Sequence, residues 1–220
     1  MGISKKRIDQ FMLAARVMIE NALTDDEVGR ALISYGYHEE KLMAGKRLYD
    51  EVAALQNAQK KVYGERIAAT AEFSNSRKTA NEQYMKALKV ARVAFKDDPK
   101  ADKALMLHGE RKQSFSEWRE QAQVFYENIL KESDLMNTFS GYGYSPDRLR
   151  QEAALLELAV IKSLQQKKKI GEAQEATAIR DNKLDELARW ISDLQAVVKV
   201  ALQDNPQQLE KLGIVVKKKG

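Results

Sequence analysis

The sequence predicts an all-α protein, an elongated helical bundle made of two tandem three-helix repeats related by an approximate twofold. Three observations carry that prediction. Apolar residues recur at the three-and-four spacing of a helix face rather than in alternation. The three prolines among 220 residues sit at boundaries, which leaves long stretches with nothing to interrupt a helix. The chain also matches itself at an offset of 107: residues 7–107 align with 114–214 without a gap, and 25 of 101 positions are identical.

In the first helix of the first repeat, Ile8, Phe11, Met12, Ala15, Ile19, Ala22 and Leu23 share one face. Phe115, Trp118, Ala122, Tyr126, Ile129 and Leu130 repeat that face in the second. A short extension follows. Thr24-Asp25-Asp26-Glu27 offers a cap for a separate helix, and one bent helix is the expectation.

The next segment is a corner used twice, Tyr35-Gly36-Tyr37 and Tyr142-Gly143-Tyr144. Gly36 and Gly143 suit the left-handed position that ends a helix. Ser145-Pro146-Asp147 then supplies an N-cap, a proline at the first helical position and an early acid. Tyr144 with Leu149, and Tyr37 with Leu42, have the spacing of a hydrophobic staple. Tyr35 and Tyr142 receive no structural role from this pattern and are kept as candidate interaction residues.

The second and third helices run from this corner to Asp-Asp-Pro99 and Asp-Asn-Pro206. Two break points are open: Gly64 and Gly171, which follow lysines, or the Ser-Asn-Ser and Arg-Asp-Asn stretches around Asn75 and Asn182. The third helix carries a heptad seam, Leu184, Leu187, Ile191, Leu194, Val198 and Ala201. Its counterparts Arg77, Ala80, Tyr84, Ala87, Ala91 and Ala94 are mostly small. Large against small fills the space between close helices, so either these two seams face each other or each repeat packs independently. The repeats are therefore drawn as 1–107 and 108–214, packed into a single domain, with a basic tail at 215–220.

Charge narrows the function classes. The net charge of +5 is spread as mixed acids and bases along helices, not gathered into a stripe for phosphate. The exceptions are Lys60-Lys61, Lys167-Lys168-Lys169 and the tail Lys217-Lys218-Lys219. Read as lysine-rich helix ends, the first two runs are candidate contacts for a nucleic acid or an acidic partner. With no cysteine there is no disulfide, thiolate metal site or cysteine nucleophile, which agrees with a reducing, cytoplasmic setting. The basic-then-apolar N-terminus is interrupted by Asp9, Gln10, Arg16 and Glu20, so no signal sequence is expected. Residues 153–161 fall short of the roughly 20 apolar residues that a membrane span requires.

Catalytic motifs are not found. His38 precedes Glu39 and Glu40 but reads as a helix start, and His108 lies in the segment between the repeats. Asp98 with Asp102, and Asp181 with Asp185, have the spacing of a hard-cation pair but read better as capping or solvated acids. No cofactor is expected. A three-helix repeat of this length with one Trp on its first helix resembles a spectrin-type repeat, although Asp97-Asp98-Pro99 departs from the continuous connecting helix of that family. Two tandem three-helix units also resemble the layout of PhoU phosphate-signalling regulators, a likeness of arrangement that would imply a metal-dependent regulator; the acidic metal motifs of that family are not matched. The expectation is a non-enzymatic interaction or scaffold protein with a protein partner or self-association. A nucleic-acid-binding helical protein is the alternative.

Overall fold

The computed structural model describes residues 5–215. Among them there is no strand. The order is α1 (Lys5–Thr24), α2 (Asp26–Ile33), α3 (Glu39–Ala94), α4 (Pro99–Ala104), α5 (Phe115–Lys131), α6 (Ser133–Ser140), α7 (Pro146–Ala201) and α8 (Gln207–Lys211). The bounds of α2 and α3 recur in α6 and α7 at the offset of 107 seen in the sequence, as do the ends of α1 and α4 in α5 and α8.

Two local expectations are corrected. The first helix of each copy is not bent but divided. Asp25 takes an extended backbone, and its carboxylate accepts from the amides of Glu27 (3.0 Å) and Val28 (3.1 Å), satisfying donors that an uninterrupted helix would have bonded internally. Glu132 makes the same extended break before α6 without a side-chain cap. The other correction is the missing hairpin: α3 and α7 each run unbroken for 56 residues through Gly64, Asn75, Gly171 and Asn182. A glycine in mid-helix costs only about 1 kcal/mol, too little to end a helix held on both sides. Neither Gly64 nor Gly171 has the positive φ of a helix terminus, and a β-carbon at either would meet nothing.

The corners agree with the sequence. Gly36 and Gly143 have φ of 79° and 82°. The Ser145 hydroxyl accepts from the amide of Arg148 at 3.2 Å, with Pro146 opening α7. Tyr37, Leu42, Tyr144 and Leu149 are all buried. Tyr144 stacks on Phe139 with ring centres 4.4 Å apart, and the Arg148 guanidinium lies over the Tyr144 ring, 3.8 Å from its centre.

Among the described residues, 5–63 and 172–215 form one compact unit, and Gly64–Gly171 forms the other. These units are not the repeats 1–107 and 108–214. In the first unit the core draws Met12, Ala15, Met18, Ile19 and Ala22 from α1, Val28 and Leu32 from α2, and Leu187, Ile191, Leu194 and Val198 from α7. In the second, Ala80, Tyr84, Ala87 and Ala91 of α3 pack in one core with Trp118, Ala122, Phe125, Tyr126 and Ile129 of α5. The large and small seams therefore do not face each other, and each repeat does not pack by itself. Because α3 and α7 never turn back, residues 184–198 of α7 meet α1, and residues 80–91 of α3 meet α5. Volume matching survives in this exchanged form: the alanines of α3 make room for the aromatic face of α5.

The exchange extends to polar contacts. Asn21 and Asn128 are equivalent positions, and each donates to the last turn of the other copy's short helix: Asn21 Nδ2 to the Lys211 carbonyl (2.5 Å) and Asn128 Nδ2 to the Ala104 carbonyl (2.7 Å). Each short helix then ends on a left-handed residue, Met106 (φ 52°) after α4 and Gly213 (φ 75°) after α8. The amides of Leu107 and Ile214 close the same turn onto Asp102 and Leu209.

Candidate functional site

Within the second unit α3 and α7 run antiparallel and are clasped by polar pairs: Lys162 with Glu72 (2.7 Å), Gln166 with Thr70 (3.4 Å) and Lys169 with Glu65 (2.8 Å). In the first unit Gln59 reaches Thr177 and Lys183 reaches Glu51. These pairs place the lysine runs in mid-helix. Lys60 and Lys61 are exposed on α3 in the first unit; Lys167, Lys168 and Lys169 lie on α7 in the second, with Lys169 partly covered by its ion pair. The reading of these lysines as helix ends is thus corrected, because the helices continue past them. The two runs belong to different units. Lys217, Lys218 and Lys219 lie outside the described residues.

Tyr35 and Tyr142 are 48% and 49% exposed, standing outside the corners whose second tyrosines are buried. Their amides close the turns onto Leu32 and Phe139 (3.0 Å each), so the backbone is committed to the corner and the ring is presented to solvent.

Beyond these residues, α7 exposes Leu158, Ile161 and Leu164, 43%, 51% and 62% accessible, at three-residue steps along one side of the helix. Leu149, Leu156 and Ala159 of the same helix are buried. A stripe of this kind is legible in the sequence only as surplus apolar content, since the inward and outward faces of 153–161 are both apolar.

A second feature was not anticipated. In the second unit a cleft of about 560 Å³ lies between α3 and the segment 106–114, lined by Arg77, Lys78, Arg111 and Lys112 together with Ser74 and Asn81. Arg111 Nη1 donates to the Tyr84 hydroxyl (2.9 Å), and Nη2 to the carbonyls of Met106 (2.9 Å), His108 (2.9 Å) and Gly109 (3.3 Å). Arg77 Nη2 donates to the Gln113 carbonyl (2.6 Å), and its guanidinium lies 5.6 Å from the Trp118 ring centre. The indole N–H of Trp118 donates to Asn81 Oδ1 at 2.8 Å. Burial raises the pKa of Tyr84 against the opposing pull of Arg111, so its hydroxyl stays protonated as an acceptor for the guanidinium. The four cations come from two segments more than 30 residues apart, which is why a balanced linear charge pattern conceals them.

Three of the carboxylates paired by spacing have local partners. Asp98 caps α4 through the amides of Lys100 and Ala101, and Asp102 contacts His108 Nδ1 at 2.5 Å. Asp181 accepts from Arg180. His38 is exposed at the start of α3. A buried carboxylate also stands in the second core: Glu152 accepts from the Tyr126 hydroxyl (3.2 Å) and from Arg148 (3.0 Å), and burial beside that carboxylate pushes the Tyr126 pKa well above its ordinary value. Among the described residues no three His, Asp or Glu side chains are arranged to hold a metal ion. No helix is long and apolar enough to cross a membrane among the same residues.

No protein-family model, curated protein or solved structure matches the chain.

Proposed function

We propose that this chain is a non-enzymatic helical interaction protein that binds a protein partner through α7. The supporting observation is the stripe Leu158, Ile161 and Leu164, which leaves branched apolar side chains in water on a helix whose opposite face is already in the core. Covering them is favourable by about 25 cal/mol per Å² of apolar surface removed from water, and a helical partner with i, i+3 anchors fits that spacing. The recurrence of helix bounds at an offset of 107 supports reading the chain as an internal duplication. The stripe differs between the copies, for Leu158, Ile161 and Leu164 correspond to Glu51, Ala54 and Asn57.

The test is affinity purification from the native lysate with the wild-type chain and with Leu158→Glu/Leu164→Glu, each with and without nuclease, alongside sedimentation of the purified chain. A partner, or a second copy, that is held by the wild type and lost in the variant supports the reading. Identical recovery with both chains sinks it.

Nucleic-acid binding is the second reading, favoured by exposed Lys60, Lys61, Lys167 and Lys168. It requires a salt-dependent shift of labelled DNA or RNA that weakens on changing those lysines to Gln; no shift at low salt excludes it.

A further inference from the structure

We infer that the cleft between α3 and residues 106–114 of the second unit binds a small polyanion carrying two or more phosphate or carboxylate groups. Arg77, Lys78, Arg111 and Lys112 line it, and no Asp or Glu does. None of the four is ion-paired among the described residues, whereas on the same unit Lys162 and Lys169 are neutralised by Glu72 and Glu65. Gathering like charges without counter-charges is unfavourable in the empty protein and is relieved by an anion.

The cleft is also organised before any ligand arrives. Arg111 is held by one hydroxyl and three carbonyls, and Arg77 by a carbonyl and the rings of Phe115 and Trp118. Neither guanidinium must be ordered on binding, which lowers the entropic cost of association. Exposed Lys78 and Lys112 supply adjustable point charges at the mouth. Asn81, whose carbonyl oxygen is taken by Trp118, keeps its amide donors, and Ser74 adds a hydroxyl.

The duplication serves as an internal comparison. Ser74, Arg77, Lys78, Asn81 and Tyr84 correspond to Asp181, Leu184, Asp185, Ala188 and Ile191. The helix register alone therefore does not call for cations here; only the α3 copy carries them. A small anion is favoured over a nucleic-acid strand because Trp118 and Tyr84 are buried, so neither ring is offered as a stacking platform for bases. The volume suits a compact ligand.

The experiment is isothermal titration of the full chain at low salt with tripolyphosphate and, separately, citrate, together with a short single-stranded oligonucleotide. One saturable site is expected, weakened by added salt and at least about tenfold weaker in Lys78→Gln/Lys112→Gln, where two charge-assisted contacts are lost. Lys86→Gln/Lys89→Gln, at two exposed lysines of α3 that do not line the cleft, is expected to bind like the wild type. Saturation by tripolyphosphate alone assigns the anion to phosphates and by citrate alone to carboxylates, and either supports the inference. Absence of saturable binding by both, undiminished binding in Lys78→Gln/Lys112→Gln, or tighter binding of the oligonucleotide than of either small anion overturns it.

Discussion

Gly45 of α3 lies directly beneath the indole of Trp190 in α7. A β-carbon at Gly45 would collide with Cη2, Cζ2 and Cζ3 of that ring. Tyr37 packs against the same indole in an edge-type arrangement, with ring centres 6.3 Å apart. Gly45→Ala gains about 1 kcal/mol of helix propensity but forces the indole out of its site, at a cost of roughly 1–3 kcal/mol. A net loss in urea denaturation is expected, and Trp190→Phe in the same chain should recover part of it. A more stable Gly45→Ala would contradict the close approach.

The exchanged packing predicts how two equivalent core positions combine. Ala87 is fully buried among the second-unit aromatics, and its counterpart Leu194 is fully buried in the first-unit core. Ala87→Leu should cost about 1–3 kcal/mol by overpacking, and Leu194→Ala about 2–5 kcal/mol by leaving a cavity. The double variant should lose the sum, within about 0.5 kcal/mol. Mutual rescue would instead place the two seams against each other.

The two tyrosines of each corner should behave oppositely. Tyr144→Ala removes a ring stacked on Phe139 and capped by Arg148, and should cost on the order of 3 kcal/mol. Tyr142→Ala removes a half-exposed ring and should change stability by no more than about 0.5 kcal/mol. Thermal or urea unfolding of the two variants decides the matter.

Acid should loosen the α2–α8 contact. Lys211 Nζ lies 2.7 Å from Asp25 Oδ2, and that hydrogen bond, with the amides of Val28 and Glu27, holds the Asp25 pKa below its ordinary value. A depressed carboxylate pKa adds stability that is present above the unfolded value, about 4, and is lost as pH falls through the lower folded value. Asp25→Asn keeps a good N-cap but removes the charge. The stability difference between wild type and Asp25→Asn should therefore shrink as pH falls from 7 to below 4. A constant difference would show that the ion pair contributes nothing.

Much of the local structure was legible because its signals lie within a few residues of their effect. The glycine corners, the Ser145 cap, the Pro146 start and the Tyr37–Leu42 and Tyr144–Leu149 staples each depend on neighbours no more than five positions away. The break at Asp25 was underestimated, although its capping carboxylate was in view. Neither open break point, Gly64 and Gly171 or Asn75 and Asn182, ends its helix, since a mid-helix glycine weakens a helix by an amount that long flanking turns readily absorb. The lysine runs lie in mid-helix, so their placement as helix ends failed with the hairpin. Arg77, Lys78, Arg111 and Lys112 could not be grouped from sequence, because nothing local ties α3 to the segment before α5.

By itself, the sequence determined that the chain is helical and where its corners turn. These follow from backbone preference, hydrophobic period and capping, all short-range effects. Only the tertiary structure decided which copy each helix packs against. The apolar faces of α1 and α5 share one helical spacing, so spacing alone does not say which segment of α3 or α7 each one meets. The choice fell to continuity: helices that run 56 residues without a hairpin carry their second halves into the other copy's core. The basic cleft arises from that same event, since it forms where exchanged α3 meets the segment leading into α5.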